Sequence, residues 1–173
     1  MNSERTVTAR SIDGSTRRVA SSDLSFRASV YGVTIVNGSV LLVPQWDGYD
    51  IPGGGIELGE TTYEALKREI FEETGLQVEP DLTEVLHVTQ DFFIHPTNGK
   101  SYHYILLYYP CIFVGGEIST ANLEDDEKEY AKAAQWIPIS ATQELKFYNP
   151  VDSPAMIKKA SDRLAKERGN SNE

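Results

Sequence analysis

Runs of apolar residues along the chain predict a β-rich molecule. Residues 30–36 and 39–43 are two such runs, and they are separated by Asn37-Gly38, the dipeptide that most strongly favours a two-residue hairpin turn. A turn-rich segment at 95–100 lies between two longer β-rich runs. Three further strands are therefore predicted in the second half of the chain: 84–94, 102–114 and 136–139.

Two segments carry the start and stop signals of helices. The first is predicted to begin at Thr61, which opens a capping box, and to end at Gly75, a residue suited to the position after a helix. The second is predicted to begin with Ser153 as N-cap and Pro154 at its first helical position, and to run to about residue 168. Strands that flank one helix and are closed by another predict an α/β sandwich with a mixed sheet.

The ends of the chain are more polar than its middle, which suggests one domain with two appendages. Residues 1–24 form a polar N-terminal segment that alternates loosely around Asp13-Gly14, a hairpin signal. No apolar run follows the first Met, so we expect no secretory signal. The single domain is placed at 25–168, and 169–173 is predicted to be a flexible tail.

The acidic composition of the chain limits which kinds of molecule it is expected to bind. The chain has 173 residues, enough for one domain with a proper core, and 26 acidic against 16 basic residues give a formal net charge of −10. An acidic protein is a poor match for nucleic-acid polymers or anionic membranes, and a polyanionic substrate would need a metal cation beside it. A lone cysteine, Cys111, excludes a disulfide framework and suits a reducing compartment, so we predict a cytoplasmic protein.

The first predicted helix carries an unusual concentration of acid. Glu69, Glu72 and Glu73 share one face at spacings of three and four residues, where each like-charge pair costs about 0.2–0.5 kcal/mol. They also lie near the helix C-terminus, where the helix dipole favours cations. Arg68 can offset part of this cost. The alternatives are a solvated acidic surface or an oxygen-ligand site that suits Mg²⁺ or Mn²⁺ better than zinc.

A glycine-rich loop, residues 50–60, leads directly into this helix. Three consecutive glycines at 53–55 permit positive φ angles and a close approach of the backbone to a ligand. The loop lacks the Lys-Ser/Thr of a phosphate-binding P-loop and does not fit the dinucleotide fingerprint.

Loop and helix together resemble the signature of the Nudix hydrolases, which is Gly, five residues, Glu, seven residues, then Arg-Glu-aliphatic-x-Glu-Glu-x-Gly-aliphatic. The pattern is complete in this chain: Gly54, Glu60, Arg68-Glu69-Ile70, Glu72-Glu73 and Gly75-Leu76. A chance match has a frequency on the order of 10⁻⁸ per position. The resemblance implies a Nudix-type α/β/α sandwich with a central mixed β-sheet.

The same resemblance implies a metal-dependent hydrolase that cleaves the diphosphate linkage of a nucleoside diphosphate derivative, with Mg²⁺ or Mn²⁺ as cofactor. Arg68 and Glu60 would orient the carboxylates. The residues that would hold metal are Gly53, through its carbonyl oxygen, Glu69, Glu72 and Glu73.

The resemblance leaves the catalytic base open, because the family takes it either from this helix or from a later loop. Glu69 is the first choice. The second is the acidic stretch 123–129, with Glu124, Glu127 and Glu129, for which a solvated loop is an equally good interpretation.

The substrate contacts are predicted from residues that flank the loop and the nearby strands. Arg27 is a candidate phosphate ligand, with Lys100 or the metal itself as alternatives. Trp46, Tyr49 and Phe92 are predicted to stack on a base, with Phe93 and Tyr102 as further candidates, and packing is the competing interpretation for each. The specific prediction is an oxidised purine nucleoside triphosphate, giving the monophosphate and pyrophosphate.

Two other functions fit the same fold. A non-catalytic Nudix-fold module would bind or sense a nucleotide without turnover, although such members usually lose signature carboxylates and none is lost here. An isomerase of isoprenoid diphosphates would need an added cysteine and acid, whereas Cys111 lies in mid-strand and suits the core. Nudix proteins are often dimers, so the resemblance allows a homodimer.

Overall fold

The computed structural model describes residues 4–123, 128 and 130–170, the last four by backbone only. The elements in chain order are β1 (Thr6–Arg10), β2 (Thr16–Ala20), β3 (Leu24–Val36), β4 (Ser39–Gln45), β5 (Gly48–Asp50), β6 (Gly53–Gly55), α1 (Thr62–Thr74), β7 (Leu76–Pro80), β8 (His87–Ile94), β9 (Ser101–Gly116), β10 (Gln135–Pro138) and α2 (Ser153–Asn170). Short 3-10 turns occupy Ser21–Asp23 and Ile139–Glu144.

The ten strands form one mixed sheet, and this confirms the predicted α/β class. The strand order is β10-β4-β3-β9-β8-β1-β2, with β5 beside β4, β6 beside β3 and β7 beside β9. The long central strands β3 and β9 run parallel, while β3 with β4 and β8 with β9 are antiparallel. The N-terminal hairpin of β1 and β2 joins the sheet through a parallel contact between Arg10 and Phe93 of β8.

The two helices cover different parts of the sheet, so the molecule has two apolar clusters. Strand β4 separates them because its side chains alternate in direction. Leu41 and Val43 belong to the cluster beneath α1. Val40 and Leu42 belong to the cluster beneath α2. All four side chains are fully buried, which explains why this strand reads as a continuous apolar run.

The start of α2 differs from the sequence prediction by one residue. Helix α1 is as predicted: Thr61 closes the capping box, and Gly75 ends the helix with a φ of 76°. In α2, however, the Oδ1 of Asp152 accepts from the N–H of Ala155 at 3.0 Å, so Asp152 is the cap and Ser153 already lies in the helix. No helix among the described residues combines the length and the apolar character needed to cross a lipid bilayer.

The strand predictions were right for the longer elements, for the N-terminal hairpin and for β10, and they missed three other short strands. Strand β3 begins at Leu24 rather than at residue 30, because its first half is largely exposed and has no apolar pattern to detect. The strands β5, β6 and β7 were not predicted. Strand β6 consists of three glycines, which have no side chains to form a pattern, and it is a strand only because it pairs with β3.

Candidate active site

The glycine strand β6 lies very close to α1, and the carboxylate of Glu69 fills the space in which a side chain on Gly54 would lie. A Cβ atom on Gly54 would be 2.4–2.6 Å from the carboxylate atoms of Glu69. A Cβ atom on Gly53, whose φ is 148°, would lie 2.1 Å from the carbonyl oxygen of Val30. Glycine is therefore required at both positions, since a side chain on Gly54 would push Glu69 away from the loop and one on Gly53 would collide with the backbone of β3.

Two glutamates of α1 are buried beside this strand. Glu69 is 8% exposed and Glu73 is 6% exposed, and they lie one helical turn apart. The Oε2 of Glu73 accepts a hydrogen bond from the N–H of Gly53 at 2.8 Å. The carboxylates are thus fixed against the backbone of the loop, as a ligand set needs to be.

Arg68 connects the remaining acidic groups of the site. Its Nε and Nη2 each donate at 2.8 Å to the two carboxylate oxygens of Glu60, and Nη2 also donates to the carbonyl of Gly55 at 3.0 Å. Its Nη1 lies 3.0 Å from Glu72 and 2.9 Å from Glu69. These five contacts match the five N–H groups of a guanidinium, so Arg68 has no donor left for a substrate.

The Arg68–Glu60 pair keeps both partners charged. Hydrogen bonds from Arg68 hold the pKa of the Glu60 carboxyl below its usual range, and Glu60 in turn raises the pKa of Arg68. A bidentate pair of this kind also fixes orientation, because both N–H···O bonds must align. Its position suggests that the pair supports the carboxylates of α1 rather than reacting itself.

Carboxylates are concentrated at this end of the site, and this bears on whether a metal fits. Glu60, Glu69 and Glu72 each contact the guanidinium of Arg68, and Glu73 contacts the N–H of Gly53. Within the described ranges, no three acidic, His or Cys side chains already converge as a metal cluster. The donors nevertheless fit a hard divalent cation, because two of the carboxylates are more than nine-tenths buried and buried like charges are costly without a counter-ion.

A cleft of about 220 Å³ extends from β6 to the N-terminal hairpin. Its charged lining residues are Arg10, Arg27, Asp50, Glu57, Arg68, Glu69 and Asp91. Its aromatic lining residues are Tyr31, Trp46, Phe93, Tyr104 and Tyr148. Glu69 lines the cleft whereas Glu72 and Glu73 do not, which singles it out among the three glutamates of α1.

Arg27 lies on the cleft wall next to the glycine strand. Its guanidinium fills the space in front of Gly55, where a Cβ atom would be 1.9–2.3 Å away. It also contacts the hydroxyl of Tyr104, whose pKa burial raises to about 12. Unlike Arg68, Arg27 forms no ion pair among the described residues, so its charge is available to an anion in the cleft.

Trp46 lies in the cleft in an unusual backbone conformation. Its φ is +45°, a value that side-chain-bearing residues rarely adopt. The indole stacks on Tyr130 at a centroid distance of 4.3 Å and meets Tyr148 edge-on at 5.2 Å, and 38% of the residue remains exposed. Packing thus fixes a partly exposed aromatic surface at the cleft.

The other predicted stacking residues have different positions. Tyr49 packs at the edge of the apolar cluster beneath α2 and does not line the cleft. Phe92 packs at a tilt against the ring of His103, with 4.5 Å between the centroids, and also lies outside the cleft. Phe93 lines the cleft, because successive side chains of a strand point to opposite faces. Tyr102 stacks on Tyr104 at 5.1 Å.

The second choice for a catalytic base cannot be compared with the first in the structure. Glu124, Glu127 and Glu129 lie outside the described residues. Glu57, which sequence reasoning did not select, is exposed and lines the cleft.

A buried carboxyl group forms part of the cleft floor, and it was not predicted. Asp50 is 6% exposed, and its Oδ1 has no hydrogen-bond partner among the described residues. Burial raises the pKa of this carboxyl to about 7, and a hydrogen bond from the backbone N–H of Ile51 and the charge of nearby Arg10 partly oppose the shift. The sequence signal was weak, because an Asp directly before a glycine-rich turn is common.

The N-terminal hairpin also reaches the cleft, which no local pattern indicated. Arg10 contacts Asp91 of β8 through Nε at 2.9 Å and through Nη2 at 2.6 Å. The same guanidinium lies over the ring of Phe93, 4.9 Å from its centroid. These partners are about 80 residues apart in the chain, so only the folded sheet brings them together.

Comparison with known proteins agrees with the signature. A model of the NUDIX domain matches residues 25–158. A protein named MutT4 from Mycobacterium tuberculosis is 35% identical over 91 residues, which are 53% of this chain and 33% of that protein. An ADP-ribose pyrophosphatase from Methanocaldococcus jannaschii is 32% identical over 106 residues, which are 58% of this chain and 57% of that protein. The matches thus cover less than two thirds of either relative's length.

Solved structures give the same fold. A NUDIX hydrolase from Nitrosomonas europaea superposes with a TM-score of 0.60 at 18% identity, over 80% of this chain and 90% of that one. An identity this low speaks for the architecture alone.

Proposed function

Because the chain belongs to the Nudix family, whose members act on phosphorus-containing anhydrides, we propose that it hydrolyses the diphosphate linkage of nucleoside diphosphate derivatives. One observation carries this proposal. The buried carboxylates of Glu69 and Glu73 lie against the glycine strand at one end of a cleft that is also lined by arginine and aromatic side chains.

Four positions would hold Mg²⁺ or Mn²⁺: the carbonyl oxygen of Gly53 and the carboxylates of Glu69, Glu72 and Glu73. A bound divalent ion neutralises charge on phosphate oxygens and makes water easier to deprotonate. Arg68 holds two of these carboxylates in place and Glu60 holds Arg68, so the pair acts by positioning.

We infer that Glu69 is the general base. Among the three glutamates of α1, it is the one that lines the cleft, so it can reach a water molecule beside the substrate. Arg27 would bind a phosphate oxygen, since its charge faces the cleft and no carboxylate of the described residues pairs with it. Trp46 would stack on the nucleobase.

The first substrate to test is an oxidised purine nucleoside triphosphate, with a nucleoside monophosphate and pyrophosphate as products. ADP-ribose is the second, because a relative that is 32% identical is named an ADP-ribose pyrophosphatase. Both carry the phosphate anhydride and the planar base that the two ends of the cleft would accept.

The deciding experiment measures phosphate-anhydride cleavage by the purified chain. The panel contains oxidised and normal purine triphosphates, ADP-ribose, a sugar nucleotide and a dinucleoside polyphosphate, each with Mg²⁺, Mn²⁺ or a chelator. We expect metal-dependent turnover of at least one compound. Saturable nucleotide binding without any metal-dependent product would instead support a non-catalytic binding module. A homodimer and a cytoplasmic location stay predictions.

A further inference from the structure

We propose that the N-terminal hairpin forms part of the substrate site, and that Arg10 is a specificity-determining residue that contacts the nucleobase. The hairpin precedes residues 25–158, the part of the chain that matches the NUDIX domain. The identity of the ligand rests on the function proposed above, whereas the existence of the subsite rests on geometry.

Arg10 is held rigidly at the cleft wall. Asp91 binds its Nε and Nη2, and the ring of Phe93 supports one face of the guanidinium. The Arg10 side chain is 27% exposed and lines the cleft, and no described contact engages its Nη1. A fixed guanidinium that still has N–H donors to offer can bind a ligand with little loss of conformational entropy.

The charge around Arg10 favours a neutral ligand group over a phosphate. Asp91 neutralises Arg10, and the carboxyl of Asp50 is close enough for the Arg10 charge to lower its pKa. At the other end of the cleft, Arg27 has no such carboxylate partner within the part of the chain that the structure describes. A phosphate is therefore better placed beside Arg27, and a planar base with carbonyl acceptors is better placed beside Arg10.

The floor beneath Arg10 contains an independent sign that a polar ligand belongs there. Asp50 lines the cleft, is more than nine-tenths buried, and has an Oδ1 for which the described residues supply no hydrogen-bond partner. Buried polar atoms in folded proteins nearly always have a partner, so this end of the cleft is incomplete as it stands. Apolar walls from Ile12 and Leu106 give the flat, partly apolar surroundings that a base requires.

The test measures binding rather than turnover. Calorimetric titrations use AMP, GMP, CMP and UMP as probes, with ribose 5-phosphate as the matched ligand that lacks a base. We expect Arg10→Gln to weaken the best-bound nucleotide about tenfold while ribose 5-phosphate binds as it does to the native chain. Arg17→Gln, an exposed arginine on the second strand of the same hairpin, is the control and is expected to change neither affinity.

Each other outcome overturns the proposal. Equal losses for nucleotide and ribose 5-phosphate would make Arg10 a phosphate ligand, and no loss for either would remove it from the site. Thermal unfolding of each variant checks the fold, and Arg10→Lys, which keeps the charge but not the bidentate fork, provides a milder second variant that should also lose base-dependent affinity. Base-dependent binding without hydrolysis would preserve the subsite while refuting the proposed function.

Discussion

The two ends of the cleft are built from the chain in opposite ways. At the glycine end, the loop and the acidic face of α1 lie within 21 consecutive residues, from Gly53 to Glu73, and their spacing fixes their geometry. At the hairpin end, Arg10 meets Asp91 across 81 positions of the chain, and on the β4 side of the cleft Trp46 meets Tyr148 across 102.

This difference separates two kinds of chemistry. The local end concentrates negative charge around one saturated guanidinium, an arrangement that suits metal-assisted cleavage of an anhydride. The hairpin end pairs its charges and places the guanidinium of Arg10 over the ring of Phe93, an arrangement that suits recognition of a base. Changes at the glycine end should therefore lower the rate, and changes at the hairpin end should lower affinity and selectivity.

The largest effect is expected from Glu73→Gln. The substitution keeps the shape of the side chain but removes a charge that would bind the metal, so we expect kcat to fall by at least about 100-fold. Isothermal titration with Mn²⁺ should show weaker metal binding in parallel. Glu144→Gln, at an exposed position remote from the cleft, is the control. Native kcat and native Mn²⁺ affinity in Glu73→Gln would contradict this division of the cleft.

A smaller effect at the same end is expected from Arg68→Lys. Lysine keeps the charge but cannot form the bidentate contact with Glu60 together with those to Glu69 and Glu72, so we expect kcat to fall about 10–100-fold. A double-mutant cycle with Glu60→Gln should be strongly non-additive, because both changes release the same carboxylates. Additive losses would show that Arg68 does not act through Glu60.

On the β4 side of the cleft, Trp46→Ala should raise KM and leave kcat nearly unchanged. Loss of one base–aromatic stack is worth about 1–3 kcal/mol, so we expect KM for a nucleotide substrate to rise at least about fivefold. Trp46→Phe keeps a stacking face and should recover most of the affinity. A drop in kcat with constant KM would instead assign Trp46 to the chemical step.

The smallest effect concerns Asp50 and appears as stability rather than activity. Burial raises the pKa of its carboxyl from an ordinary 3.8 to about 7, so between these values the folded chain binds a proton that the unfolded chain does not. Stability then falls as pH rises through this window and levels off above it. Asp50→Asn lacks this dependence, so its melting temperature relative to the native chain should rise from pH 4 to pH 8 by a few degrees.

A melting-temperature difference that does not change with pH would contradict this prediction. Glu144→Gln serves again as the control, since its carboxyl is exposed and the substitution should leave the pH profile unchanged.

The sequence predicted the glycine end of the site and the elements that carry it, because both depend on short-range patterns. The capping box at Thr61 and the left-handed Gly75 fixed α1, and the spacing of Glu69 and Glu73 placed both on one face. The spacing alone left a solvated acidic surface and a metal site as alternatives, and the resemblance to the family signature favoured the metal site.

The hairpin end was not predictable in the same way. Nothing in the neighbourhood of Arg10 distinguishes it from the other arginines of the polar N-terminal segment, since its partners come from β8. Phe92 and Phe93 could not be told apart either, because a shift of one residue in a strand reverses which face each side chain occupies. Strand β6 shows the same limit for backbone structure, since its glycines pair only where β3 is present.

Strand β4, which is buried on both faces, also affects how the domain unfolds. Leu41 packs in the cluster beneath α1 and its neighbour Leu42 packs in the cluster beneath α2, so displacing β4 disrupts both clusters at once. Partial unfolding that displaces this strand is therefore costly. Thermal unfolding should be a single cooperative transition, and the amide hydrogens of β4 should exchange with deuterium only when the whole domain unfolds.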